Sequence, residues 1–374
     1  MLRPVLGITA GDPAGIGAEV VCKALNNKEI YDHCIPVVIG DNAVLEDSLA
    51  ITGLSHSLRS IGKPEEALGL YGTIDILDMQ LLGKRNIGIK AGLQKTEQGW
   101  NYGIISKTAG EAAFRYIEKG ISLAMEKSLD ALVTAPINKE ALNLAGHCYA
   151  GHTEILSELT GCKDYAMLLL CGKLRVVHVT THVSLKTAAD LITMHRVLNT
   201  IRLAHKGLML LGCFSFNSGQ MGSLHPEQHR KPRIAVAGFN PHASEGGLFG
   251  DEENRAIIPA VQAAQTEGID VSGPLPPDTV FVKALSGQYD AVIAMYHDQG
   301  HIPLKLLSFK LNSGEQSSVS GINCTLGLPI IRTSVDHGTA FDIAGKNCSS
   351  EQSMTEAIEA AYTMARQQFL PNGN

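Results

Sequence analysis

Ile234-Ala-Val-Ala-Gly-Phe-Asn-Pro-His242 is a short apolar run that breaks at a glycine and ends in an imidazole. A strand apolar at every position is one buried on both faces, the usual state of a strand in a parallel sheet. Two other stretches end the same way, Val176-Val-His-Val-Thr-Thr-His182 and Val292-Ile-Ala-Met-Tyr-His297. Ligands of open α/β sheets gather outside the carboxyl ends of the strands. His182, His242 and His297 are therefore expected at one sheet edge. Three imidazoles with open positions make a catalytic site for a divalent cation, with Zn, Co, Ni and Mn as fitting ions. Each of them taken alone reads as a polar loop residue; three at equivalent strand exits favour the cation. His178, inside its strand, reads as a satisfied core histidine, and His225 and His229, in a polar stretch, as solvated.

Outward from these strands the pattern alternates. Further strands are expected at 4–10, 35–40, 73–77, 131–135 and 328–332, with those above spanning 175–181, 233–239 and 291–295. Helices are expected at 18–25, 108–127, 185–204, 254–266 and 354–369. Strand and helix in alternation predict an α/β fold with a largely parallel, helix-covered sheet. Polar stretches at 212–231 and 308–320 read as surface insertions. Among 374 residues, 44% are hydrophobic and 18% charged, as in a globular protein of one or two domains. The net charge of −6 comes without a basic run, which argues against a nucleic-acid partner. No apolar run approaches the roughly 20 residues that span a bilayer. Eight cysteines without a C-x-x-C pair, and no signal-like leader, suit a reducing, cytoplasmic location.

Polar residues beside the strand exits supply candidate chemistry. Asp298 follows His297 and can orient an imidazole or move a proton. Lys305 suits an anion or a proton shuttle. Gly11-Asp-Pro-Ala-Gly-Ile-Gly17 is either a phosphate-cradling turn or a tight turn without a ligand. His152 and Thr153 can meet a phosphate or carboxylate, and Thr153 can equally cap a helix. Asp278 is a helix cap or a site acid. Arg332 leaves a strand and suits a carboxylate or phosphate. His337, Gly338 and Asp342 lie in a loop able to approach a flat cofactor.

Taken in order, these motifs resemble the 4-hydroxythreonine-4-phosphate dehydrogenase family across nearly the whole chain. The strings that carry the resemblance are 11–17, 151–154, Thr180-Thr-His182, Asn240-Pro-His-Ala-Ser-Glu-Gly-Gly247, 273–278, Tyr296-His-Asp-Gln-Gly300 and 327–345. The last is also similar to the adenine-side loop of isocitrate and isopropylmalate dehydrogenases. The resemblance implies two α/β/α subdomains flanking a cleft, with 1–140 and 338–374 on the cofactor side and 141–337 on the metal and dimer side. It implies His182, His242 and His297 as metal ligands. His152, Thr153, Lys305, Asn323 and Arg332 become substrate contacts, Asp278 and Asp298 acids lining the site, and the homodimer shares each metal site between subunits. Mg joins the candidate ions, and NAD or NADP is the oxidant. The string from Tyr296 to Leu307 also looks like the branch acting on 4-phospho-D-threonate and 4-phospho-D-erythronate. The expected reaction is oxidation of the C3 hydroxyl, then decarboxylation to dihydroxyacetone phosphate. The amino-acid substrate of pyridoxal phosphate biosynthesis is the alternative. A metal-dependent hydrolase, which needs no NAD, and a sugar-phosphate-binding protein are the remoter ones.

Overall fold

The computed structural model describes residues 3–85, 99–212, 231–308 and 321–369. Nearly all of the insertions at 212–231 and 308–320, with His225 and His229, lies outside them. In chain order the elements are β1 (Val5–Thr9), α1 (Gly17–Ala24), α2 (Lys28–His33), β2 (Ile35–Gly40), α3 (Asn42–Thr52), β3 (Ser57–Ser60), β4 (Thr73–Asp78), α4 (Lys107–Met125), β5 (Ala131–Thr134), α5 (Lys139–Leu144), α6 (His152–Thr160), β6 (Ala166–Cys171), β7 (Leu174–His178), α7 (Leu185–Leu191), α8 (Met194–Leu211), β8 (Ile234–Ala237), α9 (Ile258–Thr266), β9 (Val271–Leu275), α10 (Pro277–Leu285), β10 (Ala291–Ala294), α11 (His297–Ser308), β11 (Ile322–Leu326), β12 (Arg332–Val335) and α12 (Gln352–Phe369). The fold is mixed α/β, and the chain forms two compact units, residues 1–163 with 328–374, and residues 164–327. The division expected at 140 and 338 thus falls at 163 and 327, so α6 and β12 join the first unit.

In the first unit the strands run β3-β4-β2-β1-β5-β12, every pair parallel. β5 is buried throughout, β2 all but so. Such strands need helices on both faces, which α1, α4 and α12 supply. α4 comes so close to α5 that a Cβ on Gly110 would collide with the Ala141 carbonyl. The strand expected at 328–332 is displaced: Arg332 opens β12 instead of closing a strand, because Leu328-Pro-Ile330 forms a turn.

In the second unit the order is β11-β6-β7-β10-β8-β9. β11, β6 and β7 pair antiparallel, whereas β7, β10, β8 and β9 pair parallel. Val292 sits level with Val176 and Ala235, so the three histidine-bearing strands end together. The helix expected at 185–204 is two, because Thr193 accepts the Arg196 N–H and starts α8 afresh. The helix expected at 254–266 begins as a π-turn, Glu253–Ile257.

Glu359 on α12 is pushed up to about 7, first by burial and then by the charges of Glu356 and Glu29. A carboxyl raised in the folded state contributes stability below its unfolded pKa, lost as pH rises through the folded value. Glu359→Gln should therefore raise the midpoint of thermal unfolding at pH 8.5, by about 1–2 kcal/mol of stability, and leave it almost unchanged at pH 4.5. Parallel melts of both proteins at the two pH values check this.

Candidate active site

Two side chains clamp the strand exits of the second unit. Thr180 Oγ donates to the Met295 carbonyl at 2.8 Å, tying the end of β7 to that of β10. Gln299 accepts the Met295 N–H at 2.6 Å and donates to the Gly238 carbonyl at 2.7 Å, tying β10 to β8. Both are buried, where satisfied polar bonds specify one arrangement.

His182 and His297 meet above this clamp, their ring centroids 5.7 Å apart. A hollow of about 390 Å³ lies between them, lined also by Thr181, Ser184, Tyr296 and Asp298. His297, expected just past the end of a strand, opens α11. Its Nδ1 lies 2.7 Å from the Asp298 carboxylate. A carboxylate at Nδ1 is the usual outer partner of an imidazole that binds a metal through Nε2. The donor set therefore fits a divalent cation. Among the described residues, however, no three His, Cys, Asp or Glu side chains are gathered as a cage, so His242 does not join His182 and His297 within one chain.

His242 stands instead on an unusual turn. His242, Ala243, Ser244 and Glu245 all have positive φ, between 47° and 65°, a left-handed turn of four residues with a Cβ. L-residues there cost about 1–2 kcal/mol each. The imidazole is exposed and 3.5 Å from Glu245.

α11 carries a row of side chains at fourfold spacing: His297, His301 and Lys305. His301 stacks on His297 at 3.7 Å and lies 4.8 Å from His178, and its Nδ1 contacts the His297 carbonyl. Neither His301 nor Gln299 was singled out from sequence. The i, i+4 signal was present, but Gly300 and Pro303 disguised a helix as a turn. His178 is in the core, as expected. Burial, then the neighbouring His301 and His297, depress it to about 3, so it is neutral. Asp298 is exposed. Asp278 is not a cap, since Pro276 occupies that position; it lies in the first turn of α10, where the helix dipole favours a carboxylate. Asn323 points from β11 with a buried Oδ1 that has no partner among the described residues.

The remaining candidates lie in the first unit. Arg332 is 2% exposed and donates from Nε and Nη2 to Thr134 Oγ1, at 3.2 and 2.7 Å. Burial, with the Arg332 charge second, holds His152 well below the usual imidazole range, and its Nε2 is buried without a partner among the described residues. A neutral imidazole next to a buried guanidinium is a place for an anion. Thr153 is not the cap of α6, which is Gly151. The 11–17 loop packs on the loop containing Gly338: Ile16 N–H donates to the Thr339 carbonyl, and a Cβ on Gly15 would lie 2.8 Å from Thr339. Gly15 serves this close approach, whereas Gly11 and Gly17 lie against the backbone of Pro136 and Ala10. Within it Asp12 accepts the Ala14 N–H, keeps one oxygen without a partner among the described residues, and is pushed up by burial to about 6. His337 Nδ1 contacts the Gly338 carbonyl, and Asp342 is exposed.

Residues 32–361 match the family described as Pyridoxal phosphate biosynthetic protein PdxA. The chain is 45% identical to the D-threonate 4-phosphate dehydrogenase of Cupriavidus necator, over 97% of both chains. It is 43% identical to the 4-hydroxythreonine-4-phosphate dehydrogenase of Desulfosudis oleivorans, over 97% of this chain and 96% of the other. The crystal structure of 4-hydroxythreonine-4-phosphate dehydrogenase from Klebsiella pneumoniae superposes with a TM-score of 0.78 at 43% identity, covering 97% of this chain and 98% of that one.

A Cβ on Gly300 would collide with His178 Nε2. Gly300→Ala should therefore destabilise the fold by about 1–3 kcal/mol. Urea unfolding measures it; an unchanged midpoint would mean that the His178 ring can swing away at no cost.

Proposed function

The chain belongs to the PdxA family, and from that premise we propose that it oxidises the C3 hydroxyl of 4-phospho-D-threonate or 4-phospho-D-erythronate with NAD, with NADP as alternative oxidant. It is a dehydrogenase acting on a CH–OH group. The observation that carries the choice of substrate is the full-length likeness to D-threonate 4-phosphate dehydrogenases. The second reading, the amino-acid substrate 4-phosphohydroxythreonine, draws on the family description and on relatives bearing that name. The fold that accompanies either is the isocitrate/isopropylmalate dehydrogenase-like one, in keeping with two α/β units and no G-x-G-x-x-G.

His182, His242 and His297 would hold one divalent cation, from among Zn, Co, Mn, Ni and Mg. Such an ion acidifies a hydroxyl and stabilises an enolate. Lys305, one helical turn beyond His301, takes the hydroxyl proton, directly or through water with Asp298. Arg332, His152 and Thr153 bind the anionic groups of the substrate, and Asn323 donates its amide to a substrate oxygen. Asp278 lines the site as a further acid. His337, Gly338 and Asp342 contact the NAD. Hydride leaves C3 as the proton leaves oxygen, and the resulting β-keto acid loses its carboxylate as carbon dioxide. With one proton returned to C2, the sum is phosphothreonate plus NAD giving dihydroxyacetone phosphate, carbon dioxide and NADH.

The active form is a cytoplasmic homodimer in which the metal site is shared. Two observations support it. His242 stands apart from the other two ligands in a single chain. Beside the site, α10 and α11 expose Val282, Ile302 and Leu306 around an apolar hollow of about 530 Å³, a face that a second copy would cover. No helix among the described residues is long and apolar enough to cross a membrane.

NAD reduction should be followed with 4-phosphothreonate, 4-phosphoerythronate and 4-phosphohydroxythreonine side by side. The first or second should give the highest kcat/KM; a clear preference for the third moves the assignment to the second reading. His242→Ala should lower turnover by about 1,000-fold or more with an unchanged circular dichroism spectrum.

A further inference from the structure

The left-handed turn at 242–245 is wound against its intrinsic preference, and something must hold it. Its own bonds gather on Ser244: Ala243 N–H donates to the Asn240 carbonyl at 3.1 Å, the Ser244 carbonyl accepts the N–H groups of Gly247 at 3.0 Å and Phe249 at 3.2 Å, and Ser244 Oγ also accepts the Gly247 N–H at 3.2 Å. A further restraint, at the entry to the turn, comes from one carboxylate. Glu253 is 1% exposed. Its Oε1 accepts the N–H groups of Phe239 and Asn240, both at 2.8 Å, and its Oε2 accepts from Asn240 Nδ2 at 2.8 Å. The same amide reaches Glu252 at 2.7 Å. Among the described residues Glu253 has no ion-pair partner, so its charge is met by N–H groups alone. The turn folds back onto this point so closely that a Cβ on Gly238 would lie 2.8 Å from Ala243 Cα and 3.2 Å from Glu253 Oε1. Glu253 also opens the π-turn that precedes α9, an irregularity that aims its side chain where a regular helix would not.

We propose that Glu253 is a positioning residue: its buried carboxylate fixes the entry of the chain into the left-handed turn and so sets the direction in which His242 is presented. The proposal rests on the reading of His242 as a metal ligand. Its chemistry is acceptor count. A carboxylate offers acceptors to all three donors; glutamine turns an NH₂ towards one of them and leaves it facing a donor. The turn then relaxes to right-handed backbone and His242 moves.

The test uses the full-length protein, stripped with a chelator and titrated with Co²⁺ by equilibrium dialysis and visible absorption. Glu253→Gln should weaken Co²⁺ binding at least about tenfold, the effect typical of outer partners of metal ligands. Adding Ala243→Gly to that variant should restore most of the affinity, because glycine takes positive φ without the Cβ cost. A merely structural role would instead lower the melting temperature, and the glycine would restore no Co²⁺ affinity. Wild-type affinity in Glu253→Gln, or a loss that Ala243→Gly leaves unrepaired, overturns the proposal. His242→Ala read in parallel separates the two ideas. If it binds Co²⁺ as the wild type does, the ligand assignment falls; if it loses binding while Glu253→Gln does not, only the role of Glu253 falls.

Discussion

The parallel registration of β7, β10 and β8 is the constraint on which the site depends. Once Val292 is level with Val176 and Ala235, the three strands exit at one height, and the chain must turn there three times in succession. Exits left unpaired would expose backbone groups in a crowded place. Thr180 and Gln299 take up those groups and lock the ends to one another. His182 and His297 are placed by the clamp, not by contact with each other.

The electrostatics follow from the same crowding. His178, deepest, is neutral through burial and through its neighbours. His152 in the other unit is neutral for a related reason, with the Arg332 guanidinium beside it. In both units a buried neutral ring therefore adds no positive charge beside the candidate residues.

Much of this was legible in the sequence. Continuous Val, Ile and Ala runs located β1, β2, β4, β5, β7, β8 and β10 because such strands are covered on both faces. What escaped was structure that lacks that signature. β11 carries Asn323 and Thr325 among its apolar residues, and β6, though apolar throughout, is a Met-Leu run without the β-branched residues that mark a strand. β9 contains Gly273 and Pro274. α11 hides behind Gly300 and Pro303, although its row of His297, His301 and Lys305 keeps helical spacing. The adjacency of His182 and His297 was legible from strand ends. The standing of His242 was not, because nothing in Pro-His-Ala-Ser-Glu announces a left-handed run without glycine, and nothing near Glu253 announces that its carboxylate is needed there.

The row on α11 has one more consequence. A helix advances about 1.5 Å per residue, so His297 and Lys305 are separated along the axis by roughly 12 Å. One rod thus carries both an imidazole and an amine, the pair proposed as metal ligand and proton acceptor. Any tilt of that rod shifts both ends at once and in proportion. The spacing between them behaves as a ruler cut into the scaffold.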